Sequence, residues 1–236
     1  MRDPSFGRLI REALALGFEL VRYEAFEPLN GPAPKEPFEY HVYRETAQAK
    51  NLYERVFVKG RSAKVFVYVG FSHVIEDPVR RTLGPGMAKW MAAEFKALSG
   101  KDPLTVDQVS LTPAADAELD DEDYRLVAPL LRSGTPQVVL KGNAPADIGF
   151  YGDKVDITVA HPRLGDAQGR PGWVLQSGEF RHVPLTAPSR GLMQMRLQSE
   201  SADTIPFDQM LMDQSGPVVL LAPRQDKVRA VFIPWN

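Results

Sequence analysis

Between Lys64 and Val74 the chain reads Lys-Val-Phe-Val-Tyr-Val-Gly-Phe-Ser-His-Val. After its lysine, the run to Val69 is continuously apolar, the pattern of a strand covered on both faces. Gly70 ends it, and His73 follows. Strong strand patterning thus runs straight into a side chain that can ligate a metal or move a proton near neutral pH. What this chain does depends on the partners His73 finds.

The elements before it alternate. Asp3-Pro4 is a helix start, with the acid as N-cap and proline at the first helical position. Phe6, Leu9, Ile10, Ala13 and Leu14 recur at helical spacing, with Arg8, Arg11 and Glu12 on the other face, and Gly17 closes the helix. Residues 18–23 read as a strand ending at Tyr23-Glu24, and the prolines of 27–38 mark a loop. A second helix is expected over 40–58. Ala49, Leu52, Tyr53, Val56 and Phe57 form its apolar stripe, and Arg44, Glu45, Gln48, Asn51 and Arg55 are its polar residues. After the strand 64–69 comes the turn Gly84-Pro85-Gly86. A third helix follows over 87–98, burying Met87, Trp90, Met91, Phe95 and Leu98. A strand is expected over 104–111, then an acid-capped helix over 117–131 that Pro129 kinks or shortens, then a short strand over 137–140.

Helix–strand alternation with connections of this length implies parallel strands and right-handed crossovers. The expected fold class is therefore α/β, a parallel-type sheet with covering helices, spanning residues 1–143. From about Ala144 the texture changes. Short apolar runs at 155–159, 173–175, 180–185, 192–197, 205–212, 218–221 and 228–233 are separated by Pro and Gly. Residues 144–236 read as a β-rich C-terminal extension, a small sandwich or meander.

Composition narrows the chemistry. The chain of 236 residues has no cysteine, which excludes disulfides, thiolate catalysis and Cys-type zinc sites. Its net charge of −2 offers no basic field for nucleic acid. No apolar run reaches the roughly 18 residues of a membrane span. As given, the chain reads as cytoplasmic. The helix start two residues after Met1 is expected of a chain that begins inside a domain, and a periplasmic or secreted location is expected if the chain is N-terminally truncated.

A helix carrying Arg44-Glu45 and running through Ala47 to Asn51, then a buried strand ending Gly70-x-x-His73, resembles the second half of one superfamily. It joins the erythromycin esterases, the haem-binding-uptake lipoproteins and the Tiki/TraB-type metalloproteases. The resemblance covers residues 5–111. It implies an α/β domain with an active-site histidine at a strand end, acting as a hydrolase or peptidase or binding haem. Gly70 and His73 match the Gly-x-x-His element, Arg44 matches the helix arginine, and Glu24 stands where an active-site carboxylate is expected. The family's earlier strand-end histidine motif has no match before Gly70. Gly70-x-x-His73 therefore reads as half of a site.

The candidate catalytic residues are His73, Glu24 and Arg44. His73 acts as base or ligand, Glu24 assists it, and Arg44 holds an anion. The structural alternatives are a loop histidine bonded to backbone, a solvated strand-end acid and a surface helix arginine. His73 and Glu24 are also the candidate metal ligands, for Mn, Co or Zn. Haem is the other cofactor the resemblance implies, with Tyr23 or Tyr68 as a further ligand. A small-molecule or peptide substrate and a homo-oligomer are the expected partners. His41, His161 and His182 lack zinc-helix spacing and read as structural.

Overall fold

Asp3 accepts a hydrogen bond from the Ser5 amide at 2.8 Å and opens helix α1, Pro4–Ala15; Gly17, at φ +84°, turns the chain out of it. The computed structural model describes residues 3–60, 62–80, 87–132, 134–146, 148–167, 170–171, 178 and 180–235. The Gly84-Pro85-Gly86 turn and the run 173–175 lie outside them. The chain divides into two compact units, residues 1–20 with 164–236, and residues 21–163.

In the second unit, one helical turn, Glu27–Asn30, interrupts the proline-rich loop. Helix α2, Pro37–Leu52, then passes into a π-helical turn, Tyr53–Phe57. Helix α3 runs Met91–Ser99, shorter at its start than expected. Gly100 at φ +65° ends it. Met91 and Phe95 are buried, whereas Met87 and Leu98 are exposed. Ala49 and Leu52 of α2 meet Met91 and Phe95 of α3 in one apolar cluster, onto which Val67 and Val69 pack.

Residues 64–69 differ from expectation. Among the described residues they enter no ladder. They are extended, but not covered on both faces: Val67 and Val69 turn inward, while Phe66 is 69% and Tyr68 59% exposed. Residues 18–23 likewise form no assigned strand. Continuous apolarity here means an inward row and an outward row, not two buried faces.

Mixed α/β content holds. Strand β1, Val106–Leu111, runs parallel to β3, Ile157–Ala160, and β2, Gln137–Val138, is antiparallel to β3. Residues 157–160, which pattern groups with the C-terminal run, thus pair inside the second unit. The β1 register slips after Asp107, because its Oδ1 accepts the Val109 and Ser110 amides. The expected helix 117–131 is broken into α4, Glu122–Val127, flanked by 3₁₀ turns. Pro129 has no N–H for the helical ladder, which accounts for the break.

The first unit is β-rich. Strands β4, Phe180–Ala187, and β7, Gly216–Pro223, pair antiparallel. Strands β5, Gly191–Leu197, β6, Asp208–Met212, and β8, Val228–Pro234, form a second sheet in the order β6-β5-β8. Ala187, Met193, Met195, Val218, Leu220 and Ala222 fill the space between the two sheets, and Asp208 Oδ2 accepts the Leu221 amide at 2.7 Å.

Helix α1 docks on this unit through the face that pattern assigned outward. Arg11 makes two hydrogen bonds to Glu200, at 2.7 and 2.6 Å, and a third to the Ile205 carbonyl. Arg8 donates to the Phe207 carbonyl and lies near the Phe180 and Phe207 rings. Buried Gly7 permits this approach, since a Cβ there would lie 2.9 Å from Ile205 Cγ2.

Gly191 is tighter still. A Cβ there would sit 2.5 Å from the Ile233 carbonyl oxygen and 2.6 Å from the Phe232 ring, and the backbone oxygen is fixed in the β5–β8 ladder. Gly191→Ala is expected to destabilise the protein by about 1–3 kcal/mol. Chemical denaturation followed by circular dichroism checks this, and an unchanged midpoint contradicts the packing.

Candidate functional site

The polar residues of α2 are not a solvated face. Glu45 is 0%, Gln48 2% and Asn51 5% exposed, and Ala47 and Ala49 beside them are buried too. Polar groups taken out of water are costly unless each is hydrogen-bonded. Here they organise the loop opposite. Asn51 Nδ2 donates to the carbonyls of Tyr23 and Glu24, at 3.1 and 3.0 Å, while its Oδ1 accepts from Asn30. The Tyr23 hydroxyl donates to the Tyr68 carbonyl at 2.7 Å, tying this loop to the extended stretch that leads to His73.

Glu24 is thereby set against α2. Arg44 grips it with two bonds, Nε to Oε1 at 3.0 Å and Nη2 to Oε2 at 2.6 Å. Gln48 Nε2 and the Ala25 amide also donate to Oε1, each at 2.8 Å. Burial pushes the Glu24 carboxyl up, but the bonds from Arg44, Ala25 and Gln48 outweigh it and hold the group below the ordinary carboxylate range. The Glu24 bonds raise Arg44 in turn. Burial, reinforced by the Glu24 charge, lifts the Tyr23 phenol to about 12.

His73 rides on a 3₁₀ turn, Phe71–Val74, entered directly from Gly70. Phe71 has φ +43°, the one non-glycine positive φ among the described residues, a placement that costs of order 1 kcal/mol. His73 Nδ1 lies 2.7 Å from Glu45 Oε2, and its Nε2 lies 3.3 Å from Arg44 Nη1. An arginine only donates, so Nε2 accepts and Nδ1 carries the proton that it gives to Glu45; the tautomer follows from the network. The same Glu45 oxygen accepts the Met91 amide at 2.9 Å, at the first residue of α3. A buried carboxylate there complements the positive helix end.

A cavity of about 350 Å³ opens in front of this group, lined by Tyr23, Glu24, Arg44, Gln48, His73 and Trp90 with residues 70–72. Trp90 stands edge-on to His73, with ring centroids 5.9 Å apart, and to His41 at 4.5 Å. Two atoms of lining residues, Gln48 Oε1 and Trp90 Nε1, are buried without a partner among the described residues. One is an acceptor and the other a donor.

The three sequence-chosen residues Glu24, Arg44 and His73 lie together. Glu45, Gln48 and Trp90 were not singled out by sequence reasoning, although Arg44, Gln48 and Asn51 recur at i, i+4, i+7, a helical stripe that pattern reading left as surface. His41 comes within 3.8 Å of Glu45 Oε1. His161 lies elsewhere in this unit, beyond β3, and His182 is an exposed residue of β4.

The arrangement does not fit a divalent cation or haem. Both Glu24 oxygens are engaged by Arg44, and both His73 nitrogens are engaged, one by a guanidinium that repels a cation. Among the described residues no group of three or more His, Asp or Glu gathers to hold a metal. A tyrosinate ligand to haem iron must lose its proton, which burial and the Glu24 charge resist at Tyr23. What the set does fit is an imidazole with one nitrogen held by a carboxylate and the other beside a fixed positive charge, suited to proton transfer and to an anion. No helix among the described residues is long and apolar enough to cross a membrane. No protein-family model, curated protein or solved structure matches the chain.

Two outcomes follow from this geometry. Glu45→Ala strips the acceptor from His73 and from the buried Met91 amide, and is expected to lower stability by about 1–3 kcal/mol; an unchanged denaturation midpoint contradicts it. Glu24 titrates lower in the fold than in the unfolded chain. Its contribution is therefore complete above the unfolded pKa, near 4, and lost as pH falls through the folded pKa. The carboxylate is half exposed, which limits its share to about 1 kcal/mol or less. Glu24→Gln should lower the melting temperature at pH 7 and make no difference in strong acid. An equal effect at both pH values contradicts the assignment.

Proposed function

We propose that this pocket is the active site of a metal-independent hydrolase acting on a small ester, amide or peptide. The observation that carries this is the His73 ring, held at Nδ1 by buried Glu45 with Nε2 beside Arg44 in a pocket. The paired carboxylate and imidazole reproduce the base-plus-orienter logic of nucleophilic and general-base catalysis.

The step runs as follows. Nε2 of His73 takes a proton from water, and the water oxygen bonds to the substrate carbonyl carbon as the carbonyl π pair moves to oxygen. The oxyanion takes the second N–H of Arg44 Nη1, whose first lies toward His73 Nε2 until that nitrogen turns to water, while Glu24 occupies Nε and Nη2. The intermediate expels the leaving group, and His73 returns the proton to it. Glu24 keeps the guanidinium in place, so it is a positioning residue.

The resemblance to the erythromycin-esterase and Tiki group is part of this proposal. Its parallel, helix-covered sheet draws support from the β1–β3 pair alone. A second reading, in which the chain acts by association with another copy, draws on the exposed apolar residues of 64–69. A strict monomer at all concentrations in light scattering removes it.

The test is hydrolysis of a panel of p-nitrophenyl esters and chromogenic peptides, with chelator and with added Mn²⁺ or Co²⁺. His73→Ala is expected to lose about 100-fold or more in kcat, and Arg44→Lys to lose rate while retaining fold. Full activity in His73→Ala, or no turnover by the parent on any substrate, overturns the catalytic reading. Activity that appears only with metal overturns its metal independence.

A further inference from the structure

A larger cavity, of about 1040 Å³, adjoins the His73 site, and Phe71 and His73 line both. Its long walls are two stretches of the same unit, 65–69 and 101–109. Successive side chains of an extended chain point to opposite faces. A cavity against one face would therefore meet every second residue. This one meets every residue from Val65 to Val69 and every residue from Lys101 to Val109. It borders the backbone edge of each stretch.

Both edges are open. Among the described residues, 64–69 join no ladder, and Val65, Phe66 and Val67 make no backbone–backbone hydrogen bond. Strand β1 is the outer strand of its sheet, whose order is β1-β3-β2. The Thr105 carbonyl accepts the Ile157 amide of β3 at 3.0 Å. Backbone groups alternate sides along a strand, so those of Val106 and Gln108 point away from β3. The chain leaves Val69 through Gly70 and the turn Phe71–Val74, which sets His73 at one end of the cavity.

An extended chain laid between two such edges forms backbone hydrogen bonds on both sides, as peptides do when they add to a sheet. Five extended residues span roughly 17 Å. One row of its side chains meets the buried wall of Val67, Val69 and Phe95; the other follows the outward row that carries exposed Phe66. The inward row calls for apolar residues, and the outward row does not.

We propose that this cavity is a slot for an extended peptide, which enters as a strand between 65–69 and β1, apolar at every second residue, and brings a backbone carbonyl to His73. Cleavage of that peptide rests on the hydrolytic reading of His73, whereas its insertion is read by binding alone.

The experiment titrates the full chain with a fluorescein-labelled hexapeptide alternating valine and threonine, follows anisotropy, and reads cleavage separately by mass spectrometry. Binding is expected. N-methylation of alternate peptide residues should weaken it about tenfold or more, because each methyl removes a backbone donor and leaves the side chains in place. Amide exchange should slow among 65–67 and at Val106 and Gln108 when the peptide binds. Val106→Pro removes one donor of the slot at an edge position where proline is tolerated, and should weaken the peptide. If that variant fails to fold, the N-methyl series and the exchange pattern decide. Binding without cleavage overturns peptide hydrolysis at His73 and leaves the slot standing. Turnover of p-nitrophenyl esters without peptide binding overturns the slot and leaves the active site standing. Indifference to N-methylation also overturns the slot. So does a dimer in which the amides of 65–67 are protected before peptide is added, since a second copy then fills the space.

Discussion

The Glu45 carboxylate is the hinge of the second unit. One oxygen serves both the first amide of α3 and the His73 ring, so helix packing and ring orientation are set together. It emerges from a helix whose other polar residues point the same way. Gln48 and Arg44 reach Glu24, and Asn51 holds the backbone beneath it. Removing one member leaves its neighbours with unmet bonds in a low-dielectric setting, where such loss is most costly. That interdependence gives the site its geometry.

Signals that depend on a few adjacent residues were readable in the sequence. Asp3-Pro4 opens α1 and Gly17 closes it, Gly100 ends α3, and Pro129 breaks the acidic helix. The C-terminal runs near 180–185, 192–197, 218–221 and 228–233 became strands, because alternating residues next to turn-forming ones have few other options. Glu24, Arg44 and His73, chosen from the sequence as site candidates, lie together, with Arg44 touching both of the others.

What could not be read was which surface each residue faces. Arg8 and Arg11 look solvated on a helical wheel, yet they dock α1, because guanidinium groups can reach backbone carbonyls over a glycine. Glu45, Gln48 and Asn51 look solvated as well, yet they are buried, because the loop at Tyr23-Glu24 gives Gln48 and Asn51 their partners while His73 and the Met91 amide give Glu45 its own. Residues 64–69 have strand composition, but a ladder requires a partner of matching register. Pairing is a property of two segments, and composition describes only one.

The contacts that hold α1 link residues about 190 positions apart: Arg11 to Glu200 and Ile205, and Arg8 to Phe207. A ribosome releases the first helix long before those partners exist. Residues 21–163, one compact unit built from a continuous stretch, can assemble in the meantime. The unit built from both ends of the chain closes last, after the loop-closure entropy of the intervening unit has been reduced by its own folding. Until then α1 is an isolated 12-residue helix, marginal in water. The order of synthesis thus makes the amino-terminal helix the latest element to become stable.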